Sequence, residues 1–228
     1  MKVVIKFGGS VLCPDGKPDT KLLKKLSDNV RKFLKGKNEV HFVAGGGVLG
    51  KNYVAACKEF GLSNTTLDLI GVKSSRLNAM SVIAAFHDIA YPFPPERFED
   101  IGKALASGKM LVMGGLTPGQ TTDAVAVQLA DYIGADLLIK GTSVDGIYDS
   151  DPRKNKKAKK FDEISYEKLF EIVSNDTFVA GTSSIIDPQA ALLLKRSNIR
   201  TIALDIRNVD NLINALKGKK FVGTEITD

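Results

Sequence analysis

The chain has 228 residues, 43% hydrophobic and 25% charged. That is the balance of an ordinary globule, long enough to bury about 70% of its unfolded surface without disulfide or metal staples. Its apolar runs are far shorter than the ~20 residues that span a bilayer, and the opening MKVVIKFGGS lacks a secretory leader's long apolar stretch and small-residue cleavage site, so a cytoplasmic location is expected. Of the net charge of +6, a single acid-free run (Arg153, Lys154, Lys156, Lys157, Lys159 and Lys160) supplies the whole excess. Outside it the charges balance, which argues against nucleic acid as a partner and leaves steering of anionic ligands as the use of that run.

Short apolar stretches alternate with helical patterns, the signature of an α/β fold with a mainly parallel sheet covered on both faces. Lys2–Phe7 reads as a buried strand. Thr20–Gly36 carries Leu22, Leu23, Leu26, Val30, Phe33 and Leu34 at helical spacing. Glu39–Ala44 is a second strand, followed by Gly45-Gly46-Gly47 and a helix to about Gly61. A long helix is expected over Val72–Ala90, ended by the prolines of Tyr91–Pro95. Then come a strand at Lys109–Met113, a helix at Thr122–Ile133 and a strand at Asp136–Lys140. Beyond the basic run, helices are expected at Tyr166–Ser174 and Pro188–Ser197, and a strand at Thr201–Asp205. Val209, Leu212, Ile213 and Leu216 mark a last amphipathic helix, and Lys220–Ile226 a closing edge strand. Cys13 and Cys57 have no paired spacing and read as reduced thiols. His41 and His87 lie apart, in a strand and a helix, and suggest neither a triad nor a zinc site.

Glycines and polar residues collect after the strands: Gly8-Gly9-Ser10, Gly45-Gly46-Gly47, Gly114-Gly115 through Asp123, and Gly141-Thr142-Ser143. Open α/β sheets bind ligands beyond the carboxyl ends of their strands. Glycine lets the backbone approach a phosphate, and the following helix offers unpaired N–H groups. Neither a G-x-x-x-x-G-K-[ST] loop nor a G-x-G-x-x-G turn is present, so the phosphate-binding machinery is of another type. Lys6 ends a strand otherwise fit for full burial, where an ammonium is costly unless it meets an anion. It either snorkels from the strand end or neutralises charge on a transferred phosphoryl group.

Lys6-Phe7-Gly8-Gly9-Ser10 resembles the K-x-G-G-S opening of the amino-acid-kinase superfamily, and Thr142-Ser143-Val144-Asp145-Gly146-Ile147-Tyr148 through Asp151-Pro152 resembles its nucleotide loop, usually T-N-V-D-G-V-Y then D-P. Asp68-Leu69-Ile70-Gly71 and Arg76-Leu77-Asn78-Ala79 are similar to the D-x-I-G and R-x-N-A elements of UMP kinases. Gly114 through Asp123 is similar to the G-G-x-x-P-G-x-T-T-D loop of the archaeal type. No histidine stands beside the second glycine loop, where an isopentenyl phosphate kinase has one. The resemblance implies a three-layer α/β/α sandwich in a single domain, residues 1–228, with an acceptor lobe at 1–140 and a donor lobe at 141–228. It implies ATP-dependent phosphorylation of UMP, with Mg²⁺ held mainly by the ATP phosphates, and a homo-oligomer of hexameric type. Open alternatives are a related kinase of the isopentenyl phosphate or acetylglutamate type, and a non-catalytic nucleotide-binding protein.

By the same resemblance, Lys6, Phe7, Gly8, Gly9, Ser10, Gly47 and Lys51 contact ATP phosphates, and Thr142, Ser143, Tyr148 and Asp151 line the adenosine pocket. Gly46 contacts UMP, Asp68 holds its ribose hydroxyls, and Leu116, Thr117, Pro118, Gly119, Gln120, Thr121 and Thr122 wrap the uracil and acceptor phosphate. Arg76 either meets that phosphate or makes an interior salt bridge. Asp123 and Asp187 either favour helix N-termini through the dipole or act in catalysis, Asp187 by orienting Lys6. Lys51 stands where archaeal relatives often have Arg, which turns a bidentate fork into a point charge. Ser143 replaces the usual Asn and loses an amide donor.

Overall fold

The computed structural model describes residues 1–150, 152, 155–174 and 186–228. In chain order the first elements are β1 (Lys2–Phe7), a one-turn α1 (Gly9–Leu12), α2 (Thr20–Leu34), β2 (Glu39–Ala44), α3 (Gly47–Lys58), α4 (Asn64–Ala85), α5 (Glu99–Ala106) and β3 (Val112–Met113). Next come α6 (Thr122–Ile133), β4 (Leu137–Thr142), β5 (Ile147–Tyr148), β6 (Lys160–Phe161), β7 (Glu163–Ile164) and α7 (Tyr166–Ser174). Finally there are α8 (Pro188–Ser197), β8 (Thr201–Asp205), α9 (Val209–Leu216) and β9 (Thr224–Ile226). Seven strands form one sheet in the order β3-β2-β1-β4-β8-β9-β7, and β5 and β6 make a separate antiparallel pair. Every pair in the large sheet is parallel except β8–β9. The expected lobe boundary at 140/141 falls inside β4.

Strand alternation builds the layers. Val3, Ile5 and Phe7 of β1 point to one face, where they pack with Leu26 and Val30 of α2, Val82 of α4 and Leu212 of α9. Val4, Val43 and Leu138 point to the other, against Val125 and Leu129 of α6, Ala190 and Leu194 of α8, and Leu169 of α7. Each such buried Val, Leu, Ile or Phe contributes about 1.5–3 kcal/mol, and β1, covered on both faces, has no solvated side. The result is an α/β/α sandwich.

Several boundaries differ from the sequence reading. α4 begins at Asn64, capped by Ser63, whose hydroxyl accepts from Thr66 N–H at 3.2 Å. The helix runs on through Gly71, and its backbone there lies close to the second glycine loop: a Cβ on Gly46 would stand 3.3 Å from the Gly71 carbonyl. The same helix stops at Ala85, before the prolines, as Phe86 turns into the core beside Phe42 at 5.4 Å. β3 is shorter than expected. The Leu111 N–H donates to Nδ1 of His41 at 3.0 Å instead of to a neighbouring strand, and burial pushes that histidine's pKa down to about 4. β9 is not an edge; β7 covers it. The short α1, β5, β6 and β7 carry too few residues to show a period, and α5 (Glu99–Ala106) was not anticipated from the sequence. Among the described residues no helix is long and apolar enough to cross a membrane.

Candidate functional site

Because β1, β2, β3 and β4 run parallel, the four glycine-bearing segments that follow them share one edge of the sheet. They also touch. Gly8 N–H donates to the Gly141 carbonyl at 3.1 Å, and Gly45 N–H to the Phe7 carbonyl at 3.0 Å. A Cβ on Gly9 would lie 2.3 Å from Gly45 O and Gly47 N, so no other residue fits there. Gly47 adds a second requirement, a φ of +61° that L side chains rarely adopt.

Helix capping bears on this edge. α2, α4, α6, α8 and α9 each begin with a side chain that accepts a first-turn N–H. α1, α3 and α5 have no side-chain cap; two of them, α1 after Gly8 and α3 after Gly46, start at this edge, so their first amides stay available to an anion. Asn78 sets the loop before α3: its Nδ2 donates to the carbonyls of Gly45 at 2.8 Å and Gly46 at 3.0 Å, and its Oδ1 accepts from the buried Cys13 thiol at 3.2 Å. With the carbonyls drawn to Asn78, the edge presents N–H groups. Asn78 belongs to the quoted R-x-N-A element but was given no role there; only its buried position reveals one.

A cleft of about 490 Å³ opens beside α3, lined by Gly46, Gly47, Lys51, Asp68, Gly115, Gly119, Gln120, Thr121 and Thr122 among others. Asp68 reaches across it from α4 and accepts the Gly119 N–H at 2.8 Å. Gly47 and Lys51, assigned by resemblance to the donor, open onto this same cleft as the acceptor residues. Thr117 and Pro118 lie in the adjoining turn, where the Thr117 hydroxyl stands 3.4 Å from Gln120 Oε1. Leu116 is buried in the core under α6.

Three of the expected site residues make other contacts in this structure. Arg76 is buried with its guanidinium committed: Nε donates to Gly115 O at 3.0 Å, Nη2 to Glu96 O at 2.7 Å and Leu116 O at 3.2 Å, and Nη1 pairs with Glu96 at 3.0 Å. It braces the acceptor loop from behind through the Gly115 and Leu116 carbonyls. Phe7 has its side chain fully buried on the opposite face of β1, and its carbonyl accepts from the Gly45 N–H. Asp187 does not meet Lys6. Its Oδ1 caps α8 by accepting from Gln189 N–H at 3.0 Å and Ala190 N–H at 3.1 Å, while Oδ2 accepts the Thr121 hydroxyl. Thr121 in turn caps α6, so the pair locks two helix starts together.

The carboxylate that holds Lys6 is Asp123. Lys6 and Lys140 are register partners on β1 and β4, so both side chains leave the same face and converge on the first turn of α6. Lys6 Nζ stands 3.1 Å from Asp123 Oδ1, an ion pair rather than a directed hydrogen bond, and Lys140 Nζ donates to Oδ2 at 2.5 Å. Burial alone would raise the Asp123 pKa, but the Lys140 and Lys6 ammoniums outweigh it and hold it near about 2. Burial pushes Lys140 down to about 8, with Asp123 opposing the shift and Lys6 adding to it. One carboxylate facing two buried ammoniums leaves one positive charge in excess, where an anion is strongly favoured. Lys140 went unrecognised in the sequence because it lies inside a strand motif; its signal is a second lysine in an apolar run, like Lys6.

Beyond β4, Thr142 is buried and its hydroxyl has no hydrogen-bond partner among the described residues. The Tyr148 hydroxyl donates to Asp145 at 2.6 Å, and that bond lifts its pKa to about 12. The Ser143 carbonyl accepts from Arg207 at 2.8 Å. Gly8, Gly9 and Ser10 occupy the turn into α1 and its start. Asp151, Arg153 and Lys154 lie outside the described residues.

Comparison with known proteins gives the following. The pattern of the amino acid kinase family matches residues 1–205. A uridylate kinase of Thermococcus sibiricus is 43% identical over 219 residues, 96% of this chain and 96% of that protein. A uridylate kinase of Methanosarcina mazei is 42% identical, over 96% of this chain and 93% of that one. The crystal structure of uridylate kinase from Archaeoglobus fulgidus superposes with a TM-score of 0.84 at 37% identity, covering 100% of both chains.

Proposed function

We propose that this chain, which belongs to the amino acid kinase family, transfers the γ-phosphoryl group of ATP to UMP, giving UDP and ADP. The observation that carries this reading is the buried Lys6–Asp123–Lys140 cluster, with its excess positive charge, beside a cleft whose loops present backbone amides. The acceptor oxygen of UMP is already anionic near neutral pH, so no strong general base is needed. The difficulty is to bring two anions into line, and charge neutralisation with positioning supplies that. In this reading UMP occupies the Asp68 cleft and ATP the loop after β4, with the transferred group over Lys6 and Lys140. Mg²⁺ enters as part of the substrate MgATP. The site carboxylates Asp123 and Asp187 are already engaged, and among the described residues no group of three His, Cys, Asp or Glu forms a cage.

The sequence resemblance supports a cytoplasmic enzyme that self-associates as a hexamer. Leu69, Leu77 and Met80 of α4 and Tyr53 of α3 are exposed side chains, and they supply apolar surface for such contacts.

The test is ATP consumption with UMP, CMP, isopentenyl phosphate and acetylglutamate as acceptors. UMP is expected to give the highest kcat/KM, and greater turnover with another acceptor sinks the reading. Asp68 adds a sharper expectation. If its carboxylate accepts from the ribose hydroxyls, Asp68→Asn raises the KM for UMP about tenfold and narrows the preference of UMP over dUMP. An unchanged preference removes Asp68 from ribose recognition.

A further inference from the structure

One cation outside the residues assigned so far touches the donor side. β8 ends beside β4 with Asp205 in register with Thr142, and Ile206 N–H donates to the Thr142 carbonyl at 3.1 Å. Just past the strand, Arg207 folds back on itself. Its own N–H donates to Asp205 Oδ1 at 3.0 Å, Nε to Oδ1 at 2.9 Å and Oδ2 at 3.1 Å, and Nη2 to Oδ2 at 2.6 Å. Nη2 also donates to the Ser143 carbonyl at 2.8 Å. The Asp205 side chain is only 23% exposed, so the fork is anchored on a fixed base.

A single exposed ion pair contributes little to stability, which makes stability a poor explanation for this arrangement. Its effect is geometric: a planar fork matched to a carboxylate sets the direction of the remaining N–H, and that N–H holds one peptide of the loop after β4. Since a peptide is planar and trans, a Ser143 carbonyl turned to Arg207 turns the Val144 N–H the opposite way. The Ser143 side chain is a short hydroxyl, so the loop is braced here from β8.

We infer that Arg207 is a positioning residue for the phosphoryl donor, holding the Ser143–Val144 peptide in the orientation that receives ATP. This rests on the proposed reading of the loop as the ATP site. Without the brace the peptide must be ordered during binding, a conformational loss that weakens ATP by about tenfold.

The experiment is calorimetric titration of wild type, Arg207→Ala and Arg207→Lys with the Mg²⁺ complex of AMP-PNP, and separately with UMP. Arg207→Ala is expected to weaken AMP-PNP about tenfold, leave UMP unchanged, and keep kcat at saturating ATP within about twofold. Arg207→Lys keeps the charge but loses the planar fork on Asp205, and is expected to be about as weak as Arg207→Ala. Unchanged AMP-PNP affinity in Arg207→Ala overturns the proposal, as does equal weakening of UMP. Wild-type affinity in Arg207→Lys also overturns it, because the charge would then act on the phosphates directly. A wild type that takes up no AMP-PNP overturns instead the reading of the loop as the donor site.

Discussion

Lys6→Ala is expected to lower kcat about 10³-fold while changing the KM for UMP less than about threefold. Removing one preorganised donor to a developing charge costs about 10²–10³ in turnover, and this ammonium acts with little screening because it is buried. Lys6 does not line the Asp68 cleft, so the acceptor keeps its contacts. The fold is also spared: Lys6→Ala leaves Asp123 and Lys140 as a neutral pair. Steady-state kinetics with both substrates varied decide the matter. Equal, small changes in kcat and KM would return Lys6 to the role of a strand-end lysine.

Asp123→Ala should have the opposite balance, with a large structural penalty beside the loss of activity. It leaves two register-paired ammoniums buried side by side without a counterion. Removing one partner of a buried charge pair costs about 3–5 kcal/mol, which for a chain of this size lowers Tm by roughly 10 °C. Replacing Lys140 as well, in Asp123→Ala/Lys140→Met, should restore much of the stability and none of the turnover. The pH dependence follows in sign. The folded pKa of Asp123 lies near about 2, below its ordinary 3.8. The stability it contributes is therefore present above about pH 4 and lost as pH falls through about 2. Urea titrations of the single and double variants measure the effect. A stable, active Asp123→Ala enzyme would mean the carboxylate only favours the α6 N-terminus.

The long periodic segments were legible because their physics is local. α6, α8 and α9 carry apolar residues at helical spacing between capping residues, and their bounds agree with the reading of the sequence. The glycine turns were legible for a related reason, since a strand end followed by Gly-Gly announces a close approach whatever it approaches. Partnership was not legible. Asp123 and Asp187 both stand at helix starts, one in the first turn and one at the cap, and nothing local tells which one meets Lys6; the packing of α6 over β1 and β4 decides it. Arg76 and Asn78 share one turn of α4, and both turn inward to loop carbonyls, a pairing set by tertiary packing. Helix α4 lies earlier in the chain than the sequence suggests, Asn64–Ala85 against Val72–Ala90: glycine inside a helix costs about 1 kcal/mol, so Gly71 signals a break, and only the Ser63 cap shows where the helix starts.

The most direct test of direct transfer between two nucleotides over the Lys6–Lys140 pair is stereochemical. With ATP made chiral at the γ-phosphorus by sulfur and oxygen isotopes, one in-line displacement predicts that UDP carries the phosphorus inverted. Retention would require two displacements through a phosphorylated side chain, and would contradict the account.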